Sequence, residues 1–292
     1  VPVVESFSTA SLSTKATSVS VTKPAGTQSG DYLVALVEVS DGTGDLPVTS
    51  PGFGSLLSGS PGSLRAIEVL AKVAGGSEPG SYTFSHGSSR DAVVLLRLSG
   101  VDTSNPINVL SSVGGGSSGS SITAASLTTT VANCLYLLCV GHGFTSSSVT
   151  YSATGSMAIA GQTNNGNTST SQASCAIATE SIPTAGATGT RSITASASGY
   201  HAYASIAIAG ASGGGGSQTL TGTLFTNTNT FYGGTVQRGA VTLSGTLFTN
   251  TNSFYGATVG RGAVNISGAL YSDADTFYAA TLGKTYAITG SR

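Results

Sequence analysis

The sequence predicts an all-β chain in two parts, an antiparallel β-sandwich followed by a short segment of β repeats. Three observations carry that expectation. Glycine supplies 41 of the 292 residues and charged residues only 8%, whereas soluble domains average roughly 7% glycine and 25% charge. Such a chain lacks the Glu, Lys and Arg that clothe exposed helices, while its Ser, Thr, Val and Ala fit pleated surfaces and tight turns. Short apolar runs separated by Gly, Ser, Pro and Asp recur between residues 17 and 209 at the spacing of a sandwich. Near-copies of one 23-residue unit close the chain.

The first strands are expected at residues 17–22, 32–40, 64–73 and 91–99. Leu33 to Val37 and Val93 to Leu96 are unbroken apolar runs, as in strands covered on both faces. Residues 114–121, all Gly and Ser, read as a loop. Further strands follow at 134–140, 172–180, 191–195 and 201–209, the last alternating larger with smaller side chains as if one face were better packed. Two antiparallel sheets packed face to face account for these patterns. Four consecutive glycines, Gly213 to Gly216, mark a linker at 211–217, which separates a domain at 1–210 from the repeats at 218–292.

The repeats span 220–241, 243–264 and 266–287. Each carries a variant of Thr-Leu-Phe-Thr-Asn-Thr-Asn-Thr-Phe-Tyr, at 223–232, 246–255 and, with Asp for Asn, 269–278. Units this short cannot bury an apolar face alone and must stack on neighbours or on other chains. The aromatic positions Phe225, Phe231, Tyr232, Phe248, Phe254, Tyr255, Tyr271, Phe277 and Tyr278 are therefore the expected oligomerisation residues. Asn227 and Asn229, Asn250 and Asn252, and Asp273 and Asp275 occupy equivalent places and suit turns with side-chain to backbone hydrogen bonds.

Lys23-Pro24-Ala25-Gly26-Thr27, Gly30-Asp31-Tyr32-Leu33-Val34-Ala35, Lys72-Val73-Ala74 with Glu78-Pro79 and Tyr82-Thr83-Phe84, then Ser99-Gly100-Val101-Asp102 with Asn105-Pro106-Ile107, resemble a jelly-roll module of bacteriophage structural proteins and some bacterial surface proteins. The closing units resemble repeats appended to phage virion proteins. The resemblance implies a jelly-roll-like sandwich, a place on the virion surface as a decoration or fibre element, and other virion proteins as partners. With the repeats it implies a homo-oligomer, most simply a trimer. An adhesin contacting host surface glycans is the alternative, since fold alone does not choose between the two. The same residues also have structural uses: Pro24 and Gly26 shape a turn, Asp31 bonds nearby amides, and Glu78-Pro79-Gly80 forms a second turn.

Catalytic constellations are sparse. Gly115-Gly116-Ser117-Ser118-Gly119 matches a nucleophile elbow in letters only, because no strand and helix flank it. His86, His142 and His201 show no metal-ligand spacing, with His142 placed at a strand end. A glycosidase needs two convergent carboxylates, and a pair such as Glu38 and Glu68 on adjacent strands is one example, although its placement suits polar strand faces and turns. The loop from Asp41 to Asp45 offers oxygens for calcium without EF-hand spacing. Cys134, Cys139 and Cys175 read as buried free thiols, the first two on opposite faces of one strand. The expectation is a protein with no enzymatic site, no cofactor and no metal. A net charge of −1 without a basic cluster argues against nucleic acid. The opening Val-Pro-Val-Val meets Glu5 and Ser6 at once and no run approaches a membrane span, so neither a signal peptide nor membrane insertion is expected.

Overall fold

The computed structural model describes residues 1–40, 45–63, 65–143, 148–167 and 172–211, together with the backbone of the strands between 218 and 291. The chain divides into two compact units, Val1–Ala211 and Ser212–Arg292. The first unit contains β1 (Val3–Thr22), β2 (Tyr32–Val39), β3 (Gly54–Gly59), β4 (Ala66–Val73), β5 (Ser81–Ser99), β6 (Ile107–Leu110) and β7 (Gly114–Ala124). It continues with β8 (Thr128–Thr129), β9 (Cys134–Gly143), β10 (Tyr151–Ala153), β11 (Ala158–Asn164), β12 (Ser174–Ile182), β13 (Gly186–Ala187) and β14 (Arg191–Ile208). One antiparallel sheet runs β1-β5-β2-β4-β3, and the other runs β10-β14-β9-β12-β11, with β6 and β7 also paired to β14.

These two sheets repeat one plan. Each has a long strand, β5 or β14, flanked by an early edge strand, β1 or the β6 and β7 pair. Beyond it come β2, β4 and β3 in the first sheet, and β9, β12 and β11 in the second. Across the sandwich β1 lies against β11, β5 against β12, β2 against β9 and β4 against β14. Each strand thus faces the counterpart of its opposite number, as an approximate two-fold axis between β2 and β9 requires. Residues 1–99 and 107–208 are therefore a structural duplication that sequence inspection alone does not show.

Alternation along the strands builds the core. Val34, Leu36, Ile67, Val69, Val94 and Leu96 meet Leu135, Leu137, Cys139, Cys175, Ile177 and Ile206 between the sheets. The outward residues are buried too, because the long strands bend back over their own sheets. Val19 and Val21 of β1 with Tyr82 and Phe84 of β5 cover Leu33, Ala35 and Val37. Ile122 and Ala124 of β7 with Ile193 and Ala195 of β14 cover Tyr136, Leu138 and Val140. Burial on both faces explains the unbroken apolar runs of β2 and β5.

Three expectations change. Residues 114–121 form most of a strand, because the exposed edge of β14 offers them hydrogen-bond partners. The runs at 191–195 and 201–209 belong to one strand, β14. Strands β1 and β5 extend well beyond 17–22 and 91–99 by pairing with each other.

In the second unit, β15 (Gln218–Leu224), β16 (Asn229–Tyr232) and β17 (Thr235–Gln237) begin three separate sheets. They are followed by β18 (Val241–Leu247), β19 (Asn252–Tyr255), β20 (Thr258–Gly260), β21 (Val264–Ala269), β22 (Asp275–Tyr278), β23 (Thr281–Leu282) and β24 (Tyr286–Ser291). Every pairing is parallel and joins equivalent residues of successive repeats, so Leu220, Leu243, Ile266 and Ile288 form one column. Strand β24 adds a fourth member to the first sheet, one residue short of the 23-residue period. The stacking neighbour that such repeats need is supplied within the chain.

Candidate functional site

The densest chemistry in the first unit is a buried polar layer where β2 and β9 end and β4 begins. Glu38 is the last inward residue of β2 and Arg65 precedes β4. Arg65 Nη1 lies 3.0 Å from Glu38 Oε1, with side chains 1% and 0% exposed, and also donates to the Ser40 carbonyl at 3.3 Å. Opposite them, β9 ends in Gly141-His142-Gly143, and its glycines make room. A Cβ on Gly141 would stand 2.5 Å from Glu38 Cγ, and one on Gly143 would stand 2.3 Å from Arg65 Cζ. The ion pair is thus housed by missing side chains on the facing strand.

On the outer face of the first sheet His86 Nε2 makes a 3.1 Å ionic contact with Asp91 Oδ2, both side chains fully buried. Burial lowers the pKa of His86, but the Asp91 carboxylate and the Gly87 carbonyl outweigh it and leave a raised value. On the other sheet, His142 is fully buried, its ring stacked at 4° and 6.4 Å on His201. Its Nε2 lies 3.2 Å from the Gly119 carbonyl of β7. Tyr151 sets its ring edge toward His142, and its hydroxyl shares a 2.8 Å hydrogen bond with Ser174 Oγ. Ser174 Oγ in turn lies 2.6 Å from the backbone carbonyl of His142. That bond engages the main chain and not the imidazole, so Ser174 and His142 form no nucleophile and base pair.

The geometry disposes of several sequence candidates. Glu38 pairs with Ile67 and Glu68 with Val37 on the neighbouring strand, so the two carboxylates lie on opposite faces of the sheet and cannot flank one glycosidic bond. Glu68 instead accepts from the Val48 amide at 2.6 Å. His142 is buried within the layer rather than facing a rim. Cys134 belongs to the outer core and Cys139 to the core between the sheets; all three cysteines are free and buried. Burial pushes the Cys139 thiol up to about 12, the opposite of an activated nucleophile. Among the described residues no three His, Cys, Asp or Glu side chains converge as a metal site needs. Asp41 lies outside the described residues, and Asp45 is buried.

Comparison with protein-family models, with curated proteins and with solved structures finds no match to the chain. The functional reading therefore rests on its own residues.

The motif residues at the other end of the sandwich act as turn braces. Asp31 Oδ2 accepts the Gln28 amide at 2.6 Å and Arg97 Nε at 2.6 Å, while Arg97 Nη1 reaches the Ala25 carbonyl at 3.5 Å. Arg97 is the partner that sequence reading missed, because it is 66 residues away and meets Asp31 only when β5 pairs with β2. Glu78 gathers the Gly75 amide, Lys72 and Tyr82. Asp31→Ala removes two charge-assisted bonds and is expected to destabilise the first unit by about 1.5–3 kcal/mol, read as a lowered urea midpoint. A change under about 0.5 kcal/mol, the range of neutral surface substitutions, would show that the brace is ornamental.

In the second unit, Phe231, Phe254 and Phe277 stand in register, as do Tyr232, Tyr255 and Tyr278. Asn229, Asn252 and Asp275 open their strands one above another. Phe225, Phe248 and Tyr271, with Asn227, Asn250 and Asp273, lie outside the described residues.

Proposed function

We propose that the chain is a non-enzymatic structural component of a bacteriophage particle. In this reading a jelly-roll-like sandwich stands at the virion surface as a decoration or fibre element, while the C-terminal repeats join copies of the chain to one another, most simply as a trimer. The observation that carries the reading is the in-register parallel stack of near-identical units. The inner strands are paired on both sides, and the end strands of each sheet, such as β15 and β24, keep an edge through which another copy can continue the same pairing. Two features of the sandwich support it. Glu38 with Arg65, His86 with Asp91, Asp31 with Arg97 and Glu180 with Arg191 form internal pairs, and the central strands β2 and β9 are covered on both faces, which suits a durable scaffold.

Light scattering of the full chain in dilute solution tests the assembly. The expected result is a concentration-stable oligomer of about three copies; a monomer would refute it. A glycan array tests the division of roles, since a scaffold gives no saturable binding and an adhesin does.

A further inference from the structure

The glycine-rich part of β7 has no apolar side chain to anchor it in the sandwich. Residues 114–121 contain only Gly and Ser, so no side chain there contributes apolar burial. Its pairing with β14 is interrupted between Thr194 and Gly199 and again between Tyr200 and Ala202. Gly115, at φ 122°, lies so close to β14 that a Cβ would stand 2.2 Å from the His201 carbonyl oxygen. Besides backbone pairing and contact with the turn at Pro61–Ser63, the hydrogen bond between His142 and the Gly119 carbonyl ties this stretch to the sandwich.

That bond fixes the chemistry of the ring. With Gly119 O as acceptor, Nε2 of neutral His142 carries the hydrogen, so a second proton must go onto Nδ1. Nδ1 is buried and has no acceptor among the described residues; His201 has a backbone partner in Gly199, whose pull is outweighed by burial. The surroundings also oppose a cation. From β14 come His201 and Tyr203, from β10 Tyr151, from β12 Ser174, and ahead of β4 the guanidinium of Arg65, which repels a cation, while β7 contributes no titratable group. The carboxylate on β2, Glu38, is engaged by Arg65, and Asp91 on β5 by His86.

We propose that the stacked His142 and His201 rings are an acid-operated latch, which holds the glycine-rich part of β7 on the sandwich at neutral pH and releases it when a ring gains a proton. Burial first, then His201 and Arg65, lowers the pKa of His142 from 6.5 to about 4, against the pull of Gly119; His201 is lowered as well. For a histidine with a depressed folded value, the stabilising contribution is complete above pH 6.5. It is lost as pH falls from there toward 4, because the open state takes up the proton more readily.

Amide hydrogen exchange of the full chain at pH 7 and pH 4.5, corrected for intrinsic rates, tests the latch. Protection of residues 115–121 is expected to fall on the order of fiftyfold between the two pH values, while β2 and β4 keep theirs. His142→Gln retains an N–H for Gly119 but does not titrate, so with His201 alone left to gain a proton its acid loss of β7 protection should be much smaller than the parent's. Unchanged β7 protection in the parent, loss spread evenly over all strands, or an equal loss in the variant would each overturn the proposal. Should the variant fail to fold, ring NMR of the parent decides. Titration of His142 below pH 5 together with β7 amide shifts supports the latch, and a midpoint near 6.5 overturns it.

Discussion

Replacing Arg65 with methionine is expected to destabilise the first unit by about 3–5 kcal/mol, because Glu38 would keep its charge at a fully buried site after losing its cation. Removing both members should restore much of that loss. In Arg65→Met with Glu38→Leu neither ion needs desolvation, and apolar replacements of buried pairs are often neutral or stabilising. Gly143→Ala supplies an independent reading of the same geometry. Its new Cβ would collide with the guanidinium, so the substitution should be strongly destabilising in the parent and much milder in the Arg65→Met background. Urea denaturation of the three single variants and two double variants gives the coupling energies. Additive effects would mean that Gly143 and Arg65 are not in contact.

How much of this was visible in the sequence depended on whether the signal was local. The runs of β2, β4 and β9 announce themselves because burial on both faces leaves continuous apolar stretches. The repeats do so because identity at a fixed period needs no structure to be seen. The buried layer was less legible: Glu38 and Arg65 are 27 residues apart, and Gly141-His142-Gly143 reads as a strand fraying into a turn until an ion pair is placed against it. Strand β7 was hidden for a different reason. A Gly and Ser stretch has little β preference of its own, and only the unoccupied edge of β14 makes it a strand. The duplication of the two sheets is a relation between pairings, so side-chain identity does not report it. At positions that face each other across the axis one half carries Glu38 and the other Gly141.

The repeats permit a prediction from backbone register alone. Gly245 lies in β18, paired to Gly222 of β15 on one side and to Gly268 of β21 on the other. Neighbouring residues of a strand direct their N–H groups to opposite sides, so Gly245→Pro and Thr246→Pro should break the ladder toward different neighbours. Each orphans one carbonyl, at about 1–3 kcal/mol, and each imposes a proline φ on a parallel strand. Stability in a stacked array is approximately a sum over units and their nearest-neighbour contacts. A break in the second of four strands should therefore detach β15 from the rest or divide the stack, not merely soften it. For a unit of this size every 1 kcal/mol lowers the midpoint by about 4–8 °C. Calorimetry of the full chain should show the transition of the second unit lowered or abolished, with that of the first unmoved. A shift of both transitions together would show that the units unfold as one, and no shift in either would show that the repeats are not stacked in this register.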